Sequence, residues 1–159
     1  MGFNKKRISR ALSLYPFSAK TLRVVSPQPV SPLPIDCCTK MKVLIVDDER
    51  DLCLLLKNYL TRKGYETIIA YTLAKGLDEL QRSSPDILFL DNNLADGLGW
   101  PMLPAILHRY PHLQVYLISA YNPPVPPIPE GAAVTLIEKP ISFGDLSRRM
   151  KKMELAHHD

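Results

Sequence analysis

Two aspartates, Asp47 and Asp48, follow directly on the apolar run Val43–Val46, and a third, Asp91, ends the run Ile87–Leu90. A hydroxyl, Ser119, ends another apolar run, and an ammonium, Lys139, follows one more. Burying adjacent carboxylates costs several kcal/mol each unless something compensates, so acids in these places call for a chemical reason. Packed close, three carboxylates repel and raise one another's pKa values unless a hard cation neutralises them. Mg²⁺ suits that role, because it takes oxygen ligands in octahedral geometry and keeps several waters. Lys139 and the Ser119 hydroxyl then offer a charge and a hydrogen-bond donor to a phosphoryl group. The chemistry holds only if the chain brings these five residues to one place.

Five short, β-branched apolar runs are candidates for the strands that would do so: 42–47, 66–71, 86–91, 113–119 and 133–138. Runs of this kind are buried on both faces of a parallel sheet. Helical patterns lie between them. In 50–63, Leu52, Leu55, Leu56, Tyr59 and Leu60 share one face, with Gly64 placed for a C-terminal cap. In 73–82, Leu73, Leu77 and Leu80 form a stripe behind Thr72 as N-cap, and Gly76 weakens the helix by about 1 kcal/mol. A third helix is predicted over 100–110, with Leu103, Ile106, Leu107 and Tyr110 inward and Pro101 in its first turn. A last one, over 143–153, opens with Ser142 and Asp145 in a capping-box arrangement. The alternation predicts an α/β fold, an open five-stranded parallel sheet wrapped by helices. Ligands of such sheets bind beyond the carboxyl ends of the strands, and all five polar residues fall on that edge.

The chain has 159 residues, 46% of them hydrophobic, enough for one domain. No apolar run approaches the roughly 20 residues of a membrane span, so no membrane role is expected. The net charge of +4 is misleading. Residues 1–40 carry seven Lys or Arg against Asp36 alone, whereas residues 41–159 carry thirteen against fifteen acids. The basicity therefore belongs to a leader and not to the domain. That leader, with five Pro and five Ser, is expected to be disordered. Three readings of it stand: no folded role, with Met41 as the start of translation; a disordered functional tail; or an organelle transit peptide. The domain is placed at 41–155. Cys37, Cys38 and Cys53 are odd in number and lack metal-site spacing, which fits a reducing, cytoplasmic setting. Cys53 reads as a small helix filler and Trp100 as packing at the edge of the third helix. His108, His112, His157 and His158 read as surface positions.

Four motifs stand in order: "LIVDDER" (44–50), "PDILFLDNNLADGLG" (85–99), "LISAY" (117–121) and "IEKP" (137–140). Together they resemble a response-regulator receiver domain, the phosphoacceptor module of two-component signalling, over residues 41 to about 153. The resemblance implies a doubly wound, flavodoxin-like sheet. It implies Asp91 as the aspartate phosphorylated by a histidine kinase or a phosphotransfer protein. Asp48 would bind Mg²⁺ directly, Asp47 would assist through water, and Asn93 would give the metal a backbone carbonyl. Ser119 would hydrogen-bond the phosphoryl oxygens, Lys139 would pair with them, and the Lys139–Pro140 bond is open to a cis geometry.

The chain departs from the family in two places. The segment "YNPPVPPIPEGAA" stands where a receiver carries its fourth helix. Each interior proline costs a helix roughly 3 kcal/mol, so the fourth helix is expected to be degraded to a proline-rich loop. Leu136 stands where the family usually has an aromatic switch residue, so the output route should differ. After Met153 only "ELAHHD" remains, too short for a DNA-reading element. No direct DNA binding is expected, and no enzymatic turnover.

Three functions remain in view. The first is a stand-alone phosphorylatable receiver that signals by protein contact. The second is a receiver-fold docking module independent of phosphorylation, favoured by Leu136 and the proline loop. The third is a Mg²⁺-dependent hydrolase of the haloacid-dehalogenase type, which the adjacency of Asp47 and Asp48 does not fit. Singly, the residues also have plainer readings: Asp47 or Asp48 as a cap of the helix near Arg50, Asp91 as a turn residue, and Ser119 as structural.

Overall fold

A computed structural model describes residues 40–121 and 123–156, with side chains as far as Lys152. Apart from Lys40, the leader lies outside the described residues, as do Cys37, Cys38, His157 and His158. The elements run β1 (Lys42–Val46), α1 (Arg50–Arg62), β2 (Glu66–Ala70), α2 (Leu73–Ser83) and β3 (Ile87–Asp91). They continue with β4 (Asn93–Leu94), β5 (Gly97–Leu98), a 3₁₀ turn over Trp100–Met102, α3 (Leu103–Arg109), β6 (Gln114–Ser119), β7 (Val134–Glu138) and α4 (Phe143–Ala156). Five strands form one parallel sheet in the order β2-β1-β3-β6-β7, and β4 and β5 form a separate antiparallel pair. This is the doubly wound, flavodoxin-like arrangement, and its strand order reverses between β1 and β3. A crevice opens at that switch point, beyond the carboxyl ends of both strands.

Alternate residues of the central strands separate the core into two apolar clusters, one on each face. Leu44, Val46, Leu88, Leu90, Val115 and Leu117 join Leu80 of α2 and Leu103, Ile106 and Leu107 of α3. Val43, Ile45, Ile87, Phe89, Tyr116 and Ile118 join Cys53, Leu56 and Leu60 of α1 and Leu146 and Met150 of α4. Phe89 and Tyr116 stack with ring centroids 4.8 Å apart, an arrangement that adds to their area burial.

The helices differ from the sequence reading in instructive ways. In α1 the buried face is Cys53, Leu56 and Leu60, while Leu55 is 56% exposed. Leu55 sits one helical step off the stripe, and Cys53 takes the place assigned to it. Gly64 ends this helix at a φ of +96°, with its N–H on the Thr61 carbonyl. In α2, Thr72 Oγ1 accepts from the Lys75 N–H at 3.3 Å, as an N-cap should. Gly76 is there for space: a Cβ would lie 2.8 Å from both γ carbons of Val46 in β1. The predicted third helix begins as a 3₁₀ turn and becomes α-helical only at Leu103, because Pro101 and Pro104 withhold N–H groups from its start. In α4 the Asp145 N–H donates to Ser142 Oγ at 3.3 Å, but the Asp145 carboxylate pairs with Arg148 instead of completing a capping box.

Between β6 and β7, the described residues of 120–133 belong to no helix or strand. Leu136 packs, half-buried, against the cluster that contains Leu117, its register partner. The Lys139–Pro140 peptide is cis.

Candidate functional site

Asp47 begins where β1 stops, its N–H still bonded to the Ala70 carbonyl of β2 at 3.2 Å. The sheet's last rung thus carries the carboxylate into the interior, where its side chain is fully buried. Asp48 faces solvent. Across the switch point Asp91 is the last residue of β3 and is buried with its register partner Ile118. Carboxylate oxygens of Asp47, Asp48 and Asp91 all lie within 4.8 Å of one another. Lys139 reaches into this group from beyond β7, its own N–H held by the Ser119 carbonyl at 2.9 Å. Its Nζ lies 3.0 Å from Asp47 Oδ2, 3.3 Å from Asp91 Oδ1 and 3.5 Å from Glu49 Oε1. The approach to Asp47 Oδ2 is an ion pair without hydrogen-bond geometry, so this buried oxygen has no hydrogen-bond partner among the described residues.

Backbone donors fix the two buried acids. The Glu49 N–H donates to Asp47 Oδ1 at 2.9 Å, and the Asn93 N–H donates to Asp91 Oδ2 at 2.8 Å. Ser119 Oγ accepts from the Tyr121 N–H at 3.2 Å, an arrangement that leaves the hydroxyl proton free to donate elsewhere. An open cleft of about 430 Å³ lies over the group, lined among others by Asp48, Asp91, Asn93, Ser119, Tyr121 and Lys139. All six residues singled out in the sequence therefore meet here: five border the cleft, and Asp47 lies beneath it.

One lysine does not balance these acids. Burial pushes the Asp47 carboxyl above its ordinary value, against the opposing pull of the Glu49 N–H and Lys139. Burial also raises Asp91, the charge of Asp47 adds to the rise, and Lys139 only partly offsets both. For Lys139 itself burial is the largest single influence and acts downward, yet Asp47 and Asp91 together lift it above its ordinary range. The buried Cys53 thiol donates to the Asp47 carbonyl at 3.3 Å. Burial first, and then the charge of Asp47, push it up to about 12, so it is a packing group and not a nucleophile.

Sequence reasoning missed several residues that shape the site. Glu49 shares Lys139 with the aspartates, and nothing in "DDE" told which acid would turn inward. Gly99 is required by close approach, since a Cβ there would lie 2.3 Å from the Asp91 carbonyl oxygen. Asn92 ties the following loop together, its carbonyl accepting from Gly99 N–H at 2.9 Å and its Oδ1 from Trp100 N–H at 3.3 Å. Asp96 reaches out of that loop to cap α2, accepting from the N–H groups of Leu73 and Ala74 at 2.7 and 3.0 Å. The composition "DNNLADGLG" signalled a turn but not this tie to another element.

Comparison with known proteins agrees with this geometry. The sequence profile described as "response regulator receiver domain" matches residues 43–151. The chain belongs to that family. The receiver is 32% identical over 114 residues to the transcriptional regulatory protein YxdJ of Bacillus subtilis, covering 69% of this chain and 48% of that protein. It thus spans about half the length of that relative. It is 26% identical over 113 residues to sporulation initiation phosphotransferase F of B. subtilis, covering 70% of this chain and 91% of that one. Among solved structures, the response regulator TrrA of Thermotoga maritima, in complex with Mg²⁺-BeF, shares the fold with a TM-score of 0.59 at 24% identity. That likeness covers 70% of this receiver and 97% of TrrA. Receivers are the phosphoacceptor modules of two-component phosphorelays, and this chain has that module. Among the described residues no helix is long and apolar enough to cross a membrane.

Proposed function

We propose that this receiver accepts a phosphoryl group on Asp91 with Mg²⁺ bound, and that it acts alone, signalling by protein contact. The observation that carries the reading is the meeting of Asp47, Asp48 and Asp91 within 4.8 Å around a single lysine. Their chemistry fits Mg²⁺: a hard oxygen donor set, a buried Asp47 Oδ2 without a hydrogen bond, and two carboxyls, Asp47 and Asp91, raised above their ordinary pKa by burial despite Lys139. Asp47, Asp48, Asp91 and the backbone carbonyl of Asn93 are the groups that would hold the ion. Bound there, Mg²⁺ supplies charge neutralisation for the phosphoryl oxygens as they approach the acids.

The remaining work falls to the chain. A carboxylate oxygen of Asp91 attacks phosphorus, the N–P bond of a donor phosphohistidine breaks, and the imidazole leaves with its electron pair. The Asn93 N–H keeps the carboxylate oriented during attack. Lys139, already 3.3 Å from Asp91, pairs with the incoming charge, and the free Ser119 proton donates to a phosphoryl oxygen. The donor is a histidine kinase or a phosphotransfer protein, the class that phosphorylates receivers. Sporulation initiation phosphotransferase F, 91% of whose length the matched region covers, is a precedent for a receiver that makes up nearly a whole protein. On this reading the chain turns over no substrate of its own, binds no DNA and works in the cytoplasm.

The test is intact mass after incubation of the full chain with acetyl phosphate and Mg²⁺, beside an Asp91→Asn control. A gain of one phosphoryl group that vanishes in the control and in EDTA establishes the acceptor. No adduct, under conditions that label an ordinary receiver, favours the second reading, a docking module independent of phosphorylation, which Leu136 and the loop before β7 support.

A further inference from the structure

The loop between β6 and β7 contains the run PPVPPIP, residues 123–129. Proline fixes φ near −65°, and the residue before a proline is pushed out of the helical region into extended or polyproline II geometry. In this run every residue is either a proline or stands directly before one. The backbone is thereby confined to a left-handed polyproline II path with three residues per turn.

Burial follows that period as far as Pro126. Pro123 and Pro126 are half-buried, on the edge that leans on the domain, while Pro124, Val125, Pro127, Ile128 and Pro129 are exposed. Val125 and Ile128, three residues apart, are 40% and 41% exposed and so share one edge of the path, roughly 9 Å apart at 3.1 Å per residue. Pro124 and Pro127 share the next. Tyr121, 80% exposed, continues the apolar surface toward the cleft, where it and Pro123 form part of the wall. Three overlapping P-x-x-P registers result, starting at Pro123, Pro124 and Pro126.

We propose that residues 123–129 are a polyproline II ligand, presented to a partner protein whose groove is lined with aromatic rings. Two adjacent edges of hydrophobic–proline repeats are what such grooves grip. A run already confined by its prolines loses little conformational entropy on docking. The surface is present in the unphosphorylated chain, so the proposal stands apart from the phosphoryl chemistry.

The test is an NMR titration of the ¹⁵N-labelled full chain with a purified SH3 domain and a purified WW domain, as aromatic-groove probes. The expected result is saturable shifts confined to Tyr121, Val125, Ile128 and Glu130 with at least one probe below about 1 mM. Affinity should fall at least about tenfold in the double variant Pro124→Ala/Pro127→Ala, because the groove reads the rings. A second variant, Val125→Ser/Ile128→Ser, should lose binding similarly, and unchanged shifts elsewhere show that both variants fold. Silence with both probes overturns the proposal, as do shifts outside the segment or equal binding by the proline variant. Shifts in the segment that depend on protein concentration without a probe also overturn it, and make the loop a contact between copies of this chain.

Discussion

Replacing Asp91 by asparagine should stabilise the receiver when divalent metal is removed, although it deletes a residue from the site. The neighbouring charges nearly cancel. At an effective dielectric of about 20, Lys139 at 3.3 Å attracts the Asp91 carboxylate by about 5 kcal/mol. Asp47 and Asp48, each within 4.8 Å, repel it by about 3.5 kcal/mol apiece, and exposure of Asp48 screens its share to about half. Desolvation then decides the sign. Burial is the largest influence on Asp91, and an ion held out of water costs several kcal/mol. Asparagine keeps the shape and an acceptor for the Asn93 N–H without that cost, so a gain of about 2 kcal/mol is expected after allowance for the open cleft. In a domain of this size that raises Tm by about 5–10 °C.

Scanning calorimetry in EDTA measures the gain, and pH gives it a signature. Because the native pKa of Asp91 is raised, the folded state keeps a proton that the unfolded chain has already released. Stability of the wild type therefore falls as pH climbs from about 4 through the raised native value, while asparagine does not titrate. The gap should be near zero in acid and fully open once pH exceeds that value. Adding Mg²⁺ should raise the wild type more than the variant and narrow the gap. If Asp91→Asn melts at or below the wild type in EDTA at pH 8, pairing with Lys139 outweighs burial and the charge argument is wrong.

Gly76→Ala sets helix propensity, worth about 1 kcal/mol in favour, against an overlap with Val46 at 2.8 Å that costs about 1–3 kcal/mol in a stiff, buried surround. The urea midpoint should fall, and a rise would show that α2 can step back from β1. Asp96→Ala removes two acceptors from the start of α2, so the amides of Leu73 and Ala74 should exchange with solvent several-fold faster. Backbone hydrogen bonds hold the Asp96 carboxyl below its ordinary value, so this cap is present above about pH 4 and is lost as pH falls through the depressed native value. Unchanged exchange in the variant would assign the capping to Thr72 alone.

The strands and the acids were legible in the sequence for one reason: a parallel strand buried on both faces is a short apolar run, and a charge at its end is conspicuous. Asp47, Asp91 and Lys139 stand out in this way, and Ser119 as a hydroxyl in the same kind of place. What stayed hidden depended on contacts between elements distant in the chain. Leu55 extended a leucine pattern that only packing could cut back to Leu56 and Leu60. Gly76 read as a weak point in a helix until Val46 was seen beneath it. Glu49 and Asp96 looked like ordinary surface acids, because their partners lie 90 and 22 or 23 residues away. The β4–β5 pair is only two residues per strand, too short to leave a periodic signal.

The alternation that sends Ile87 and Phe89 to one face of the sheet and Leu88 and Leu90 to the other also guards the chemistry at its end. A slip of one residue in β3 would not merely misplace Asp91. It would exchange the two sets, driving Phe89 out of its stack with Tyr116 and into a compartment shaped for leucine. The penalty is spread over the whole strand, so the acids need supply none of the energy that locates them. Loss of a side chain in the cleft can thus silence the site while leaving the scaffold whole, whereas a one-residue insertion or deletion within β3 is recoverable only by undoing the fold. Insertions and deletions should accordingly be tolerated in the loops and not within β3.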